Sequence, residues 1–280
     1  MPRPKTYRLA DGTAAPRPFL KWAGGKQALA AALQKRFPDR FDRYFEPFLG
    51  GGSVFFALAS GNPVRAVLAD ENPWLIDTYR GVRSAWRRVA ATLDTLPNTK
   101  ADYYRLRAED PAGLPLHARA ARLIYLNKTC FRGLFRVNRA GRFNVPYGAY
   151  DRRLYDPNDL AATARVLRGV DLRCADFESV LDDVTPKDFV YLDPPYVKLG
   201  GHADFNRYTK GQFREPDHDR FAALCRDLDR AHVRWLVSQS DTPLVRKLFR
   251  GFRIQRIDAR REINLDATRR NVGEVVVQNY

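Results

Sequence analysis

Seven short runs of β-branched and aromatic residues, most of them separated by amphipathic stretches, limit what this chain can fold into more than any single residue does. They read "DRYFEPF", "RAVLAD", "VDLRCADF", "DFVYLDPP", "VRWLVSQS", "FRIQRIDA" and "EVVVQNY". Strand-like runs alternating with helical periodicity are the pattern of an α/β sheet. The last two runs are joined by a polar, basic connection without helical pattern, so they are expected to pair antiparallel at one side of the sheet. The others are separated by crossovers that have room for helices, which makes most of the sheet parallel.

One crossover is too long. Between the strand ending at Asp70 and the one beginning at Val170 lies far more chain than a single helix needs. From about Arg80 to Ala164 the periodic "VRSAWRRVAATLDTL" gives way to the irregular "CFRGLFRVNRAGRFNVPYGAY". This is read as an inserted, mainly helical subdomain rich in arginine and aromatic residues, which divides the chain into 1–80, 81–164 and 165–280. A length of 280 residues suits such a core domain with an insertion, and 45% hydrophobic residues argue against disorder.

The formal charge of +16 implies an acidic partner, of which nucleic acid is the commonest. A membrane surface competes as an explanation, but no stretch is long and apolar enough to span a bilayer. The opening "MPRPKTYRLADG" lacks the apolar centre of a secretory signal, and the first sixteen or so residues read as a loose polar arm. Cys130, Cys174 and Cys225 stand far apart without paired spacing, so neither a disulfide framework nor a zinc site is expected. The expected compartment is the cytoplasm, with no metal and no membrane.

Chemistry concentrates at the ends of strands. In "DFVYLDPPYVKLG" a buried strand stops at Asp193, Pro194, Pro195 and Tyr196. Consecutive prolines supply no backbone donors, which ends the ladder and leaves a rigid carboxylate and ring where open α/β sheets hold ligands. A stiffened loop with a solvated acid is the plainer reading. In "FEPFLGGGSVFFAL" a strand runs into Gly50, Gly51 and Gly52, with Ser53 placed to begin a helix. Such a turn lets the backbone approach a ligand closely, although a tight turn alone explains it nearly as well. Asp70 closes the next strand, where a ribose-binding acid belongs in a nucleoside-binding unit. The G-x-G-x-x-G signature is absent, which argues against a nicotinamide enzyme, and "AGGK" in "FLKWAGGKQAL" does not meet phosphate-loop spacing. Left to themselves, Trp22 reads as a core aromatic and Lys21 and Lys26 as a solvated pair.

Taken in order, "FLKWAGGK", "FEPFLGGGSVFFAL", "LADENP", "NKTCFRGLFRVN", "GRFNVPYG", "ADF" and "YLDPPY" resemble the Dam family of DNA adenine methyltransferases, from about Phe19 to the C-terminus. The resemblance implies a Rossmann-like methyltransferase sheet with an inserted target-recognition subdomain and S-adenosylmethionine as cofactor. Residues 1–80 would then be the cofactor-binding part, 81–164 the reading part and 165–280 the catalytic part. Trp22 and Lys26 would contact the cofactor, and the turn with Phe48, Gly50 and Gly52 would pack on its methionine portion. Asp70 would hold the ribose hydroxyls, Asp176 and Phe177 would lie beside its adenine, and Asp193 would stand between cofactor and target base. The expected partner is double-stranded DNA, contacted by Lys21, Phe131, Arg132, Leu134, Arg136, Asn138, Pro146 and Tyr150, and the resemblance leaves open whether a cognate restriction endonuclease stands in the same system. Arg132 stands where relatives usually carry asparagine, so the resemblance leaves open whether the site is the familiar GATC or another.

The chemistry agrees with that implication. An adenine amine is a poor nucleophile, and inside a duplex it is out of reach, so the base must be rotated out. The Tyr196 ring would take the extruded base by stacking. Asp193 and the carbonyl of Pro194, held stiffly by Pro195, would accept the two amine hydrogens. Arg132, Arg136, Arg139 and Arg142 lie among Phe131, Phe135, Phe143 and Tyr147, a mixture suited to guanine reading and to wedging into a gap. Phe135 and Phe143 are expected to be core instead. RNA methylation, and a non-catalytic DNA-binding protein on a methyltransferase scaffold, are the competing functions.

Overall fold

The structure, a computed structural model, describes residues 15–61, 63–197, 213–257 and 273–280. The expected N-terminal arm falls almost wholly outside them, as does the basic connection between the last two strands. Each of the seven strand-like runs forms a strand: β1 Tyr44–Glu46, β2 Ala66–Asp70, β3 Asp171–Cys174, β4 Phe189–Leu192, β5 Arg234–Ser240, β6 Arg253–Ile257 and β7 Glu274–Gln278. They make one sheet in the order β3-β2-β1-β4-β5-β7-β6. The first five pair in parallel, and β7 lies antiparallel between β5 and β6. The strand order reverses between β1 and β4, and that switch point is where open α/β sheets form a ligand crevice.

Around the sheet stand α1 Ala30–Gln34, α2 Ser53–Ala59, α3 Pro73–Asp94, α4 Lys100–Ala108, α5 Leu116–Thr129, α6 Pro157–Val166, α7 Glu215–Arg230 and α8 Pro243–Leu248. Pleating sends alternate residues of β4 to opposite faces: Phe189 and Tyr191 enter one core, Val190 and Leu192 the other, and all four are buried. Asn72 starts α3 by accepting the Trp74 N–H at 3.0 Å, with Pro73 in the first turn where its missing N–H costs nothing.

The expected insertion boundaries fall inside helices. Residue 80 lies within α3, which kinks at Ala85, and residue 164 lies within α6. Before the kink α3 belongs to the sheet layer, where Arg80 donates to the carbonyl of Leu172 at 2.7 Å and Arg83 to that of Val170 at 2.8 Å. Side chains of α5 and of the following hairpin, among them Leu123, Tyr125, Phe135 and Phe143, share one continuous core with Tyr44, Leu68 and Tyr191 of the sheet.

Candidate active site

All the strand-end residues singled out above meet at the carboxyl edge of the parallel strands. After β1 the chain turns through Gly50 and Gly52, at φ +50° and +68°, into α2, whose first residue is Ser53. A Cβ at Gly50 would stand 2.9 Å from Cδ1 of Trp22, so the first motif lies directly against the turn. A Cβ at Gly52 would stand 2.8 Å from the Tyr79 hydroxyl. Those positive φ angles and close approaches admit glycine and little else.

Asp70 organises this turn. Its Oδ2 accepts the Gly50 N–H at 3.0 Å and its Oδ1 the Asn72 N–H at 2.9 Å. Burial pushes its carboxyl up to about 6, against the pull of those two hydrogen bonds. Beneath the turn, Glu46 at the end of β1 is buried and accepts the Tyr44 hydroxyl at 2.8 Å. Burial lifts its carboxyl to about 8, so it is mainly neutral at pH 7.

Across the switch point from the glycine turn stands Asp193. Lys26 is buried, with its Nζ 2.8 Å from Asp193 Oδ2, 2.7 Å from the carbonyl of Gly24 and 4.5 Å from the ring centroid of Tyr196. The reading of Lys26 as a solvated lysine is therefore corrected, because it is the buried counter-ion of the DPPY carboxylate. Lys21, by contrast, is exposed. The Tyr196 hydroxyl donates to Glu274 Oε2 at 3.0 Å. Gln239 holds the backbone beside that ring, accepting the Val197 N–H at 3.2 Å and donating to the Pro195 carbonyl at 3.4 Å. A side-chain amide thus substitutes for the ladder that the prolines interrupt.

On the other side of the crevice Phe48 stacks on Phe177, with centroids 5.3 Å apart, and Phe213 meets both rings. Asp176 accepts from Arg220 Nη2 at 2.7 Å and from the Glu178 N–H at 3.0 Å, while the Arg220 guanidinium lies 4.5 Å from the Phe177 centroid.

The arginine-rich loop forms an irregular turn followed by a hairpin. Asn138 accepts the N–H groups of Ala140 and Arg142, both at 3.0 Å, which tightens the hairpin tip and leaves Arg139 and Arg142 exposed. Arg136 Nε donates to Asn144 Oδ1 at 2.8 Å. Phe135 and Phe143 are buried: Phe135 stacks on Trp22 at 5.2 Å, and Trp74 packs against both rings. Phe131 is 42% exposed, and the Arg132 guanidinium lies 5.2 Å from its centroid. Arg132 sits at φ +58°, and its N–H donates to the Tyr150 hydroxyl at 3.0 Å. The carbonyl of exposed Pro146 accepts the Phe131 N–H at 2.8 Å, and Leu134 is half-buried.

A sequence profile of the D12 class N6 adenine-specific DNA methyltransferase family matches residues 22–263. The chain belongs to that family. Type II methyltransferase M.MjaIII of Methanocaldococcus jannaschii is 34% identical over 286 residues, covering 94% of this chain and 99% of that one. Type II methyltransferase M1.LlaDCHI of Lactococcus lactis subsp. cremoris is 35% identical over 274 residues, with coverages of 94% and 95%. A DNA adenine methylase of Haemophilus influenzae is 30% identical over 260 residues, with coverages of 91% and 90%. The resemblance read from the motifs holds, and so does the mostly parallel sheet with its antiparallel C-terminal strand. Among the described residues no helix is long and apolar enough to cross a membrane.

Four residues of this adenine methyltransferase escaped the sequence reading. Glu46, Gln239 and Glu274 are buried polar groups around the DPPY segment. Asn127, fully buried near the end of α5, accepts the Lys21 N–H and donates to the Lys21 carbonyl, both at 2.8 Å, and donates to the Gly133 carbonyl at 3.1 Å. The available signal was one polar residue at the edge of an apolar run: Glu274 opens "EVVVQ", and Asn127 follows "LIYL".

Proposed function

We propose that this methyltransferase moves the methyl group of S-adenosylmethionine to the N6 amine of an adenine rotated out of a short double-stranded DNA site. The donor set fits that cofactor: an acceptor carboxylate at Asp70, a close-approach backbone at Gly50 and Gly52 beside Trp22, and ring faces at Phe48 and Phe177 next to Asp176. When bound, the cofactor supplies an already activated sulfonium methyl group, which leaves orientation and electrostatics to the protein.

Asp193 and the Pro194 carbonyl accept the amine hydrogens, drawing the nitrogen out of conjugation with the ring. Lys26, 2.8 Å from Asp193, compensates the carboxylate's charge and fixes its orientation before the base arrives. Tyr196 offers a ring face to the extruded adenine. Lys21, Phe131, Arg132, Leu134, Arg136, Asn138, Pro146 and Tyr150 carry the DNA contacts, Arg136 by two-point contact with guanine once its hydrogen bond to Asn144 is shared or exchanged. Two relatives bear the name type II methyltransferase, which supports a cognate restriction endonuclease as partner. The cytoplasm is the proposed compartment.

The observation that carries this reading is the Lys26–Asp193–Tyr196 cluster at the β1/β4 switch point of a family member. The test is incubation with labelled cofactor and duplex DNA or RNA, followed by nucleoside analysis. Label is expected in N6-methyladenine of DNA only. Asp193→Ala is expected to abolish turnover while DNA binding persists and falls log-linearly with salt. Label in RNA alone, or comparable turnover by Asp193→Ala and wild type, would refute the reading.

A further inference from the structure

Tyr196 follows two prolines, so no strand ladder fixes it. Its backbone is held from β5, by Gln239 at Pro195 and Val197 and by the Ser240 hydroxyl, which donates to the Val197 carbonyl at 3.2 Å. Those contacts act on the backbone, and Lys26 Nζ lies over the ring at 4.5 Å from its centroid without reaching the hydroxyl end. What holds the far end is Glu274, whose Oε2 accepts the Tyr196 hydroxyl at 3.0 Å. Glu274 is buried, opens β7 and lies opposite Ser240 of β5.

The placement follows from strand direction. A parallel strand reaches the carboxyl edge with its last residue, whereas antiparallel β7 begins there, so its first side chain faces the Tyr196 segment. Three valines follow Glu274 and fill the core. Apolar packing alone does not call for a buried carboxylate at this position, because burying an acid costs free energy that an apolar residue of similar size avoids. A ring that must present one face at a fixed angle does call for it.

We propose that Glu274 is a positioning residue for methyl transfer: through the Tyr196 hydroxyl it sets the angle of the ring against which the extruded adenine stacks. This rests on the function proposed above. Loss of the contact is expected to leave the site able to take cofactor and DNA while widening the range of angles at which the ring meets the base, and orientation is what the rate depends on.

The test compares single-turnover methylation rates, cofactor and DNA affinities, and the fluorescence of 2-aminopurine at the target position. Glu274→Asp keeps the charge and withdraws the acceptor by one methylene, Glu274→Gln keeps an acceptor at full reach, and Tyr196→Phe removes the donor. Glu274→Asp and Tyr196→Phe are expected to slow the chemical step by roughly ten- to a hundredfold, the range set by loss of a charge-assisted hydrogen bond, with affinities within about threefold of wild type. Glu274→Gln is expected to recover most of the rate, and the double variant Tyr196→Phe/Glu274→Asp to be no slower than the slower single one. The 2-aminopurine signal should persist throughout, because the base still leaves the stack. Additive losses in the double variant, or a Glu274→Asp rate equal to wild type, would overturn the proposal. So would a wild-type rate in Tyr196→Phe, a variant that leaves the buried acid in place and guards against misfolding at Glu274. Wild-type enzyme that methylates no adenine in DNA would overturn the function proposed above together with this inference. An active wild type with one of the other refuting results overturns the inference alone.

Discussion

If Asp70 holds the cofactor as proposed, its burial makes cofactor affinity a function of pH, with a sign that follows from the raised carboxyl. Its carboxyl is pushed up to about 6 in the free protein. If Asp70 holds ribose hydroxyls, the ionised form is the better acceptor, and binding draws the proton off. Apparent affinity should then rise with pH as 1/(1 + 10^(6 − pH)), which is roughly a tenfold gain between pH 5 and pH 7 and a plateau above. Stability of the free fold runs the other way. A carboxyl whose folded value is raised favours the folded state below about pH 4, and that advantage is lost as pH rises through about 6. Calorimetric titration of cofactor from pH 5 to 7.5, in two buffers of different ionisation enthalpy, checks both affinity and proton release. Asp70→Asn should flatten the profile and weaken binding at pH 7.5 by about 1.5–3 kcal/mol, the range for a charge-assisted hydrogen bond. It should also disturb the glycine turn, because an amide can accept from only one side of the Gly50 and Asn72 pair. Affinity that does not change between pH 5 and 7, or a slope that survives in Asp70→Asn, would refute the reasoning.

Glu46→Gln should leave activity at pH 7 nearly unchanged, since the wild-type carboxyl is mainly neutral there, and should remove the loss of stability expected in wild type as pH rises through about 8; thermal melts from pH 6 to 9 check this. Asn127→Ala leaves backbone groups of Lys21 and Gly133 without their partner, and is expected to cost roughly 2–3 kcal/mol in denaturant unfolding and to weaken cofactor and DNA binding together. Arg132→Asn places at φ +58° a residue that tolerates the left-handed region better, so stability should hold or rise by up to about 1 kcal/mol. Modified-base sequencing of the same variant then decides its role: a changed consensus means that Arg132 reads a base, and an unchanged consensus with a shallower salt slope means that it binds phosphate.

The strands were legible because their signals are local: a run such as "FVYL" and the prolines that stop it sit within a few residues of one another. The place of Gly50, Asp70 and Asp193 at or just beyond strand ends was legible for the same reason, as breaks in the pattern. The plainer reading of Lys26 as solvated fails because its partner Asp193 lies far away in sequence, and no periodicity couples the two. Glu274 and Gln239 were missed for a related reason, since their roles depend on β7 adding antiparallel to β5, a pairing that brings Glu274 to Tyr196 across 78 positions. The insertion's limits were blurred because α3 serves two layers along the same stretch, meeting the sheet layer through Arg80 and Arg83 and α5 through Asp77 and Gly81.

That double service bears on how reading and chemistry communicate. Trp22 lies against Gly50 and also stacks on Phe135 of the hairpin. Asn127 ties Lys21, the residue before Trp22, to Gly133, the residue after Arg132. A Cβ at Gly133 would stand 2.6 Å from the Lys21 side chain, so the turn that presents Arg132 rests on the first motif with no room between them. The arginine-rich loop is therefore braced on the residues that line the proposed cofactor site and is not carried on a separate lobe. If Arg132 and Phe131 contact DNA as proposed, a contact that shifts them would press on the segment holding Trp22 and, four residues on, Lys26, the counter-ion of Asp193. Cofactor that fixes Trp22 should in turn stiffen the reading turn, and by linkage each ligand must change the other's affinity by the same factor.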